Sequence, residues 1–145
     1  MTDLPSRPVP KTNLYVPSQP FWDGARSGEL VLQFCLDTNR FQHPPHPLSL
    51  YTGSQNVEWR PVSGKGVVYA STVVRVPGPG VTGRIPLAVA TVELDEGVRI
   101  IANIIESPFE TIQIGSLVEL AWDRLDGGVP YPAFRIVSRQ GSVDA

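Results

Sequence analysis

The sequence predicts a mainly β protein, and three observations carry the expectation. After residue 60 there are five segments rich in β-branched and aromatic residues, bounded by glycine, proline or aspartate turns. Fifteen prolines and thirteen glycines favour short strands and tight turns over long helices. The first of the five segments, "GKGVVYASTVVRV" (Gly64 to Val76), is long enough to bend and serve two sides of a closed surface. Five strands with a break between the third and fourth fit a five-stranded Greek-key barrel of the OB type. A small β-sandwich is the competing architecture.

Residues 1–18 hold Pro5, Pro8, Pro10 and Pro17, a spacing that favours an extended, polyproline-like arm. Leu14, Tyr15 and Val16 give that arm something to dock with, on a partner or on its own domain. "PFWDGARSG" (Pro20 to Gly28) reads as one short helix, with proline in the first turn and glycine at the stop. Phe21 and Trp22 are its apolar payload, to be buried on another element or on a partner; aromatics are enriched at interface cores.

"ELVLQFC" follows as a strand, with Leu30, Leu32 and Phe34 on one side. Asp37 to Gln55 is rich in turns and has no clear period, and "VEWRPV" (Val57 to Val62) is a short strand leading out of it. Beyond the long segment, "PGPGVTGRIP" (Pro77 to Pro86) must be a loop. "LAVATVELD" and "GVRIIANII" form a hairpin about Asp95-Glu96-Gly97. "PFETIQIG" suits a helical or 3-10 turn, "SLVELAWDRLD" and "YPAFRIVS" are the last two strands, and Gly127-Gly128 turns between them. The expected organisation is an arm (1–18), a helix with a small β segment (19–60), the barrel (61–138) and a tail (139–145).

Charge and composition narrow the function. Twelve basic against fourteen acidic residues leave −2, with no clustered positive charge for nucleic acid. One cysteine excludes an internal disulfide framework. The first twenty residues have no apolar core of a secretory signal, and no apolar run approaches the ~20 residues that cross a bilayer. A cytoplasmic protein without membrane contact is the expectation.

The segment around the single cysteine has the outline of a metal site. Cys35-Leu36-Asp37-Thr38 followed by Asn39, and Ser49-Leu50-Tyr51-Thr52 followed by Gly53, reproduce the spacing of two zinc knuckles. Three of the four ligand positions (Thr38, Ser49 and Thr52) are hydroxyls, which stay protonated at neutral pH and bind zinc poorly. No zinc is expected. Structural zinc supplies on the order of 10 kcal/mol in small fingers. Here the barrel, hydrogen bonds among the hydroxyls and contacts of Leu48, Leu50 and Tyr51 must serve instead. Cys35, His43 and His46 offer a different three-ligand set, although Pro44-Pro45 stiffens the loop between the histidines.

The stretches "FWDGARSGELVLQFC", "VEWRPVSGKGVVYASTVV", "VELDEGVRIIANI", "IGSLVEL" and "PAFR" occur in this order, with "PP" and "GS" between the first two. Together they resemble a family that joins a rubredoxin-like zinc ribbon to a C-terminal OB fold associated with acyl-CoA enzymes. The resemblance covers about residues 20 to 137 and departs at the lost ligands, so the ribbon is degenerate. It implies a non-catalytic accessory subunit of a thiolase-fold enzyme (a thiolase, an acyltransferase or a steroid side-chain aldolase). The subunit stabilises a heterotetramer and helps shape the acyl-CoA site, where a CoA thioester is contacted.

Phe21, Trp22 and Tyr15 are then the candidate partner contacts. Pro79 and Arg84, in the long loop, are the candidates near the ligand, with Arg84 facing a CoA phosphate or an acid of the partner. Trp59 and Trp122 are expected in or half in the core. The residues themselves show no G-x-S-x-G and no glycine-rich phosphate loop before a helix. Glu93, Asp95 and Glu96 read as a solvated turn. Two alternatives remain. One is a small acyl-CoA or metal-dependent hydrolase using Cys35, His43 and His46. The other is a module for single-stranded nucleic acid, which needs a basic groove beside Tyr69 and Trp122 but has only Lys11 and Lys65 as lysines.

Overall fold

The computed structural model describes residues 5–10 and 18–139. The helix α1 (Gln19–Arg26) starts with proline in its first turn, and Gly28 follows it at φ 78°. Three short strands come next: β1 (Val31–Cys35), β2 (Arg40–Gln42) and β3 (Val57–Pro61). They form an antiparallel sheet in the order β2-β1-β3. The turn-rich segment from Asp37 thus contains a strand that its sequence did not signal. Only three residues long, β2 shows no readable alternation, and pairing with β1 fixes it.

The barrel strands are β4 (Lys65–Val74), β5 (Leu87–Leu94), β6 (Arg99–Ile104), β7 (Ser116–Arg124) and β8 (Pro130–Arg139). They close in the order β4-β5-β6-β8-β7, the five-stranded barrel of an OB fold. The long strand β4 does serve two sides. It pairs with β7 through Lys65–Val67 and with β5 through Gly66–Val74, and its register shifts between Val68 and Ala70. That bulge lets one strand turn the corner. The opposite seam is thin: β6 and β8 run parallel and share one register pair, Ile104 with Phe134. Pro130 and Pro132 precede that pair and carry no N–H to give.

Alternation fills the interior. Ala88, Ala90, Val92 and Leu94 of β5 meet Ile100, Ala102 and Ile104 of β6 around the fully buried Phe134. Arg99 and Ile101 point out. Trp59 and Trp122 are half-buried.

Leu30 and Leu32 enter the same core, so the small sheet and the barrel share one apolar cluster. The other face of β1 is also covered, which alternation alone did not predict. A Cβ on Gly24 would lie 2.5 Å from Val31 Cγ2, so α1 sits on that face at the closeness only glycine permits. Beyond Val31 the same face buries Gln33 and Cys35. Among the described residues no helix is long and apolar enough to cross a membrane.

Candidate functional site

The helix supplies an aromatic cluster. Phe21 packs on the barrel core, and its ring stands edge-on to Trp22 at 5.3 Å and to Tyr131 at 6.2 Å. Trp22 lies 5.8 Å from Tyr131, and the Arg7 guanidinium sits 5.3 Å from that ring. Phe21 therefore spends its side chain joining α1 to β8, while Trp22 stays half-buried at the rim. Tyr15 lies outside the described residues.

Residues 5–10 of the arm lie on the chain's own barrel. Arg7 bridges to Leu125, its carbonyl accepts from the Asp126 amide at 2.8 Å, and Ser6 Oγ donates to Asp126. Pro5 and Pro8 rest against Gly83 and Gly80 of the loop between β4 and β5: a Cβ at those glycines would come within 2.8 and 3.3 Å of the proline rings. A cavity of about 220 Å³ remains between arm and loop, with Arg7, Pro8, Pro79, Val81 and Tyr131 among its walls.

Arg84 is not at the surface of this loop. A 3-10 turn over Thr82–Arg84 points it inward. Its side chain is 1% exposed and pairs with Asp123 of β7 at 2.6 Å, and Nη1 donates to the Pro5 carbonyl at 3.1 Å. The expected pairing with a CoA phosphate or a partner's acid gives way, in this chain, to an internal ion pair under the arm. Loop sequence carried no sign of it, because the acid that claims Arg84 lies 39 residues away.

The knuckle positions do come together in part. Cys35 Sγ is buried 3.1 Å from Ser49 Oγ. Ser49 Oγ also accepts from the amides of Tyr51 and Thr52, both at 3.1 Å. Burial pushes the Cys35 thiol up, but the Ser49 and Thr38 hydroxyls and the Thr38 and Asp37 amides outweigh it and bring it below its ordinary value. Thr38 Oγ1 is near enough to act on the sulfur, yet it is buried without a partner at hydrogen-bonding geometry.

The Thr52 hydroxyl turns away to Asp37, at 2.7 Å. Asp37 also accepts from Ser54 Oγ and from Asn56 Nδ2 at 2.9 Å. Those donors, Ser54 first, hold its carboxyl below the usual range. One thiol among three hydroxyls, one of them committed to a carboxylate, does not fit a zinc site.

The loop after β2 is held by two glutamines that sequence reading passed over. Gln33 and Gln42 are register partners across β1 and β2 and are both buried. Gln33 takes the amide and the carbonyl of His46, at 2.7 and 2.8 Å. Gln42 donates to Gln33 and to the Leu48 carbonyl and accepts from the Leu50 amide. His46 thus serves through its backbone, with its ring exposed. Burial pushes the His43 imidazole down. Among the described residues no group of three or more His, Cys, Asp or Glu could hold a metal ion, so Cys35, His43 and His46 do not form the alternative site. Two of the three hairpin acids have structural partners: Glu93 pairs with Arg99 at 3.0 Å, and Glu96 accepts from the Ser63 amide at 2.7 Å, while Asp95 is exposed.

Fold and site define an OB-fold protein with a small three-stranded sheet and an aromatic helix, in which Cys35, Arg84, Glu93 and Glu96 are engaged with other groups of the chain. The chain belongs to the DUF35 family. A family model described as the ChsH2 C-terminal OB-fold domain matches residues 59–123. A DUF35 domain-containing scaffold protein of Pyrococcus furiosus is 36% identical over 100 residues, 69% of this chain and 74% of that protein. A probable enoyl-CoA hydratase alpha subunit of Thermomonospora curvata is 34% identical over 130 residues, 89% of this chain. The chain spans only 40% of the length of that relative. Among solved structures, a chain of the Ltp2-ChsH2(DUF35) aldolase superposes with a TM-score of 0.77 at 30% identity, over 88% of this chain and 98% of that one.

Proposed function

We propose that this chain is a non-catalytic accessory subunit of an acyl-CoA enzyme with a thiolase-fold partner, two copies binding one partner dimer. The carrying observation is the match along 98% of a chain that belongs to the Ltp2-ChsH2(DUF35) aldolase. The engaged state of the candidate groups agrees with it. Cys35 bonds Ser49, Arg84 bonds Asp123, and Glu93 and Glu96 are held by Arg99 and Ser63. The surfaces left for a partner are the Trp22 rim, the arm and loop around Pro79, and the exposed Leu36 and Leu50 of the two knuckles. A half-exposed tryptophan of this kind suits the centre of an interface, with the leucines adding apolar area around it.

The test is affinity purification of the tagged full chain from its host, with bound subunits identified and the mass of the complex measured by light scattering. A stoichiometric thiolase-fold subunit is expected, with acyl-CoA turnover by the complex and none by this chain alone. Turnover by the isolated chain, or purification without any stoichiometric subunit, overturns the proposal. The name of the Thermomonospora relative supports a second reading, a hydratase partner, which a hydratase-fold subunit in the same complex would select.

A further inference from the structure

We infer that the Asp37 carboxylate has replaced the metal as the cross-link between the two knuckles of the small sheet. Three observations carry this independently of the partner. The four knuckle positions hold one thiol and three hydroxyls, which cannot supply the thiolate charge that holds zinc. All three side-chain donors to Asp37 (Thr52, Ser54 and Asn56) lie on the far knuckle and the chain leaving it, 15 to 19 residues away. Asp37 itself occupies an interior position of the first knuckle, so its bonds close the loop that a tetrahedral metal would close. A carboxylate offers about four lone-pair sites and no donor, so three converging donors suit it as they would suit no neutral side chain here.

The substitution is also self-consistent. Thiolates without metal repel one another, whereas a hydroxyl both donates and accepts. Ser49 Oγ takes up the thiol of Cys35 and two amides of its own turn. The remaining flaw is Thr38 Oγ1, buried and unpartnered beside the sulfur, as expected of a ligand position whose ligand role is gone. The metal frame therefore survives as a shape, held by different chemistry.

The experiment uses the full chain and two variants. Asp37→Ala is expected to speed amide exchange across residues 35–56 by roughly tenfold or more while the barrel strands keep their protection. Thr38→Cys/Ser49→Cys/Thr52→Cys is expected to take up one equivalent of zinc or cobalt, with thiolate-to-cobalt charge-transfer bands, where the natural chain takes up none. Adding Asp37→Ala to that triple variant should then be harmless once zinc is bound. Unchanged exchange in Asp37→Ala overturns the inference, as does a full equivalent of zinc in the natural chain. A folded triple variant that stays metal-free also overturns it. If the triple variant does not fold, the exchange of Asp37→Ala alone still decides.

Discussion

Replacing Asp123 by alanine should be among the most damaging single changes in this chain. Asp123 receives Arg84 Nη2 at 2.6 Å and Nη1 at 3.4 Å, Arg7 Nη2 at 3.4 Å and the Arg124 amide at 2.7 Å. The Arg84 side chain is 1% exposed, so water cannot replace the lost carboxylate. Removing one partner of a buried pair costs about 3–5 kcal/mol, most of it the charge left unpaired. The Pro5 carbonyl still accepts from Arg84, which places the expectation near the lower end, about 3 kcal/mol. In a chain of this size that is a fall in melting temperature of roughly 10 °C.

The reverse change is expected to be milder. Arg84→Met leaves Asp123 with Arg7 and the Arg124 amide, and it removes a buried Nε that has no acceptor. Urea unfolding followed by tryptophan fluorescence reports both variants, since Trp122 adjoins the pair in sequence. An Asp123→Ala chain within about 1 kcal/mol of the natural one would refute the reasoning, because a buried guanidinium would then be tolerated without its counter-charge.

Two further outcomes follow from the geometry. A Cβ at Gly66 would stand 2.3 Å from the Glu93 carbonyl oxygen, a backbone atom fixed by the β4–β5 ladder. Gly66→Ala should cost roughly 3 kcal/mol in the same unfolding assay, against a small effect for alanine at a site with open space. His43 is held below its ordinary value by burial, so on acidification the unfolded chain takes up the proton first. Its contribution to stability is complete above about pH 6.5 and is lost as pH falls from there towards the lower folded value. Melting temperatures between about pH 7.5 and 5 should fall less steeply in His43→Gln.

The barrel was legible because its strands obey strong local rules. β5 alternates small and branched residues inward, the hairpin turns on Gly97 at φ 85°, and β4 is long enough to need its bulge. The helix announced itself through Pro20 and Gly28. Two strands of the small sheet, β1 and β3, were legible as "ELVLQFC" and "VEWRPV", whereas β2 has three residues and no period. What the sequence hid was side-chain partnership. Gln33 and Gln42 look like ordinary polar residues until β1 and β2 pair and turn both amides inward. Arg84 looks solvated until a 3-10 turn delivers it to Asp123. The first depends on a strand pairing that three residues do not announce, and the second joins residues 39 apart.

The docking of the arm also bears on how the chain is made. Ser6 and Arg7 find Asp126 and Asp123, which lie 120 and 116 residues later, so during synthesis the first three barrel strands emerge before their partners do. Through that interval the proline-rich segment 5–10 waits beside growing strand edges. Pro5, Pro8 and Pro10 make the wait safe: without an N–H they cannot be adopted into a ladder. The same residues that make the arm a poor strand keep it available until its own seat on the barrel has been built.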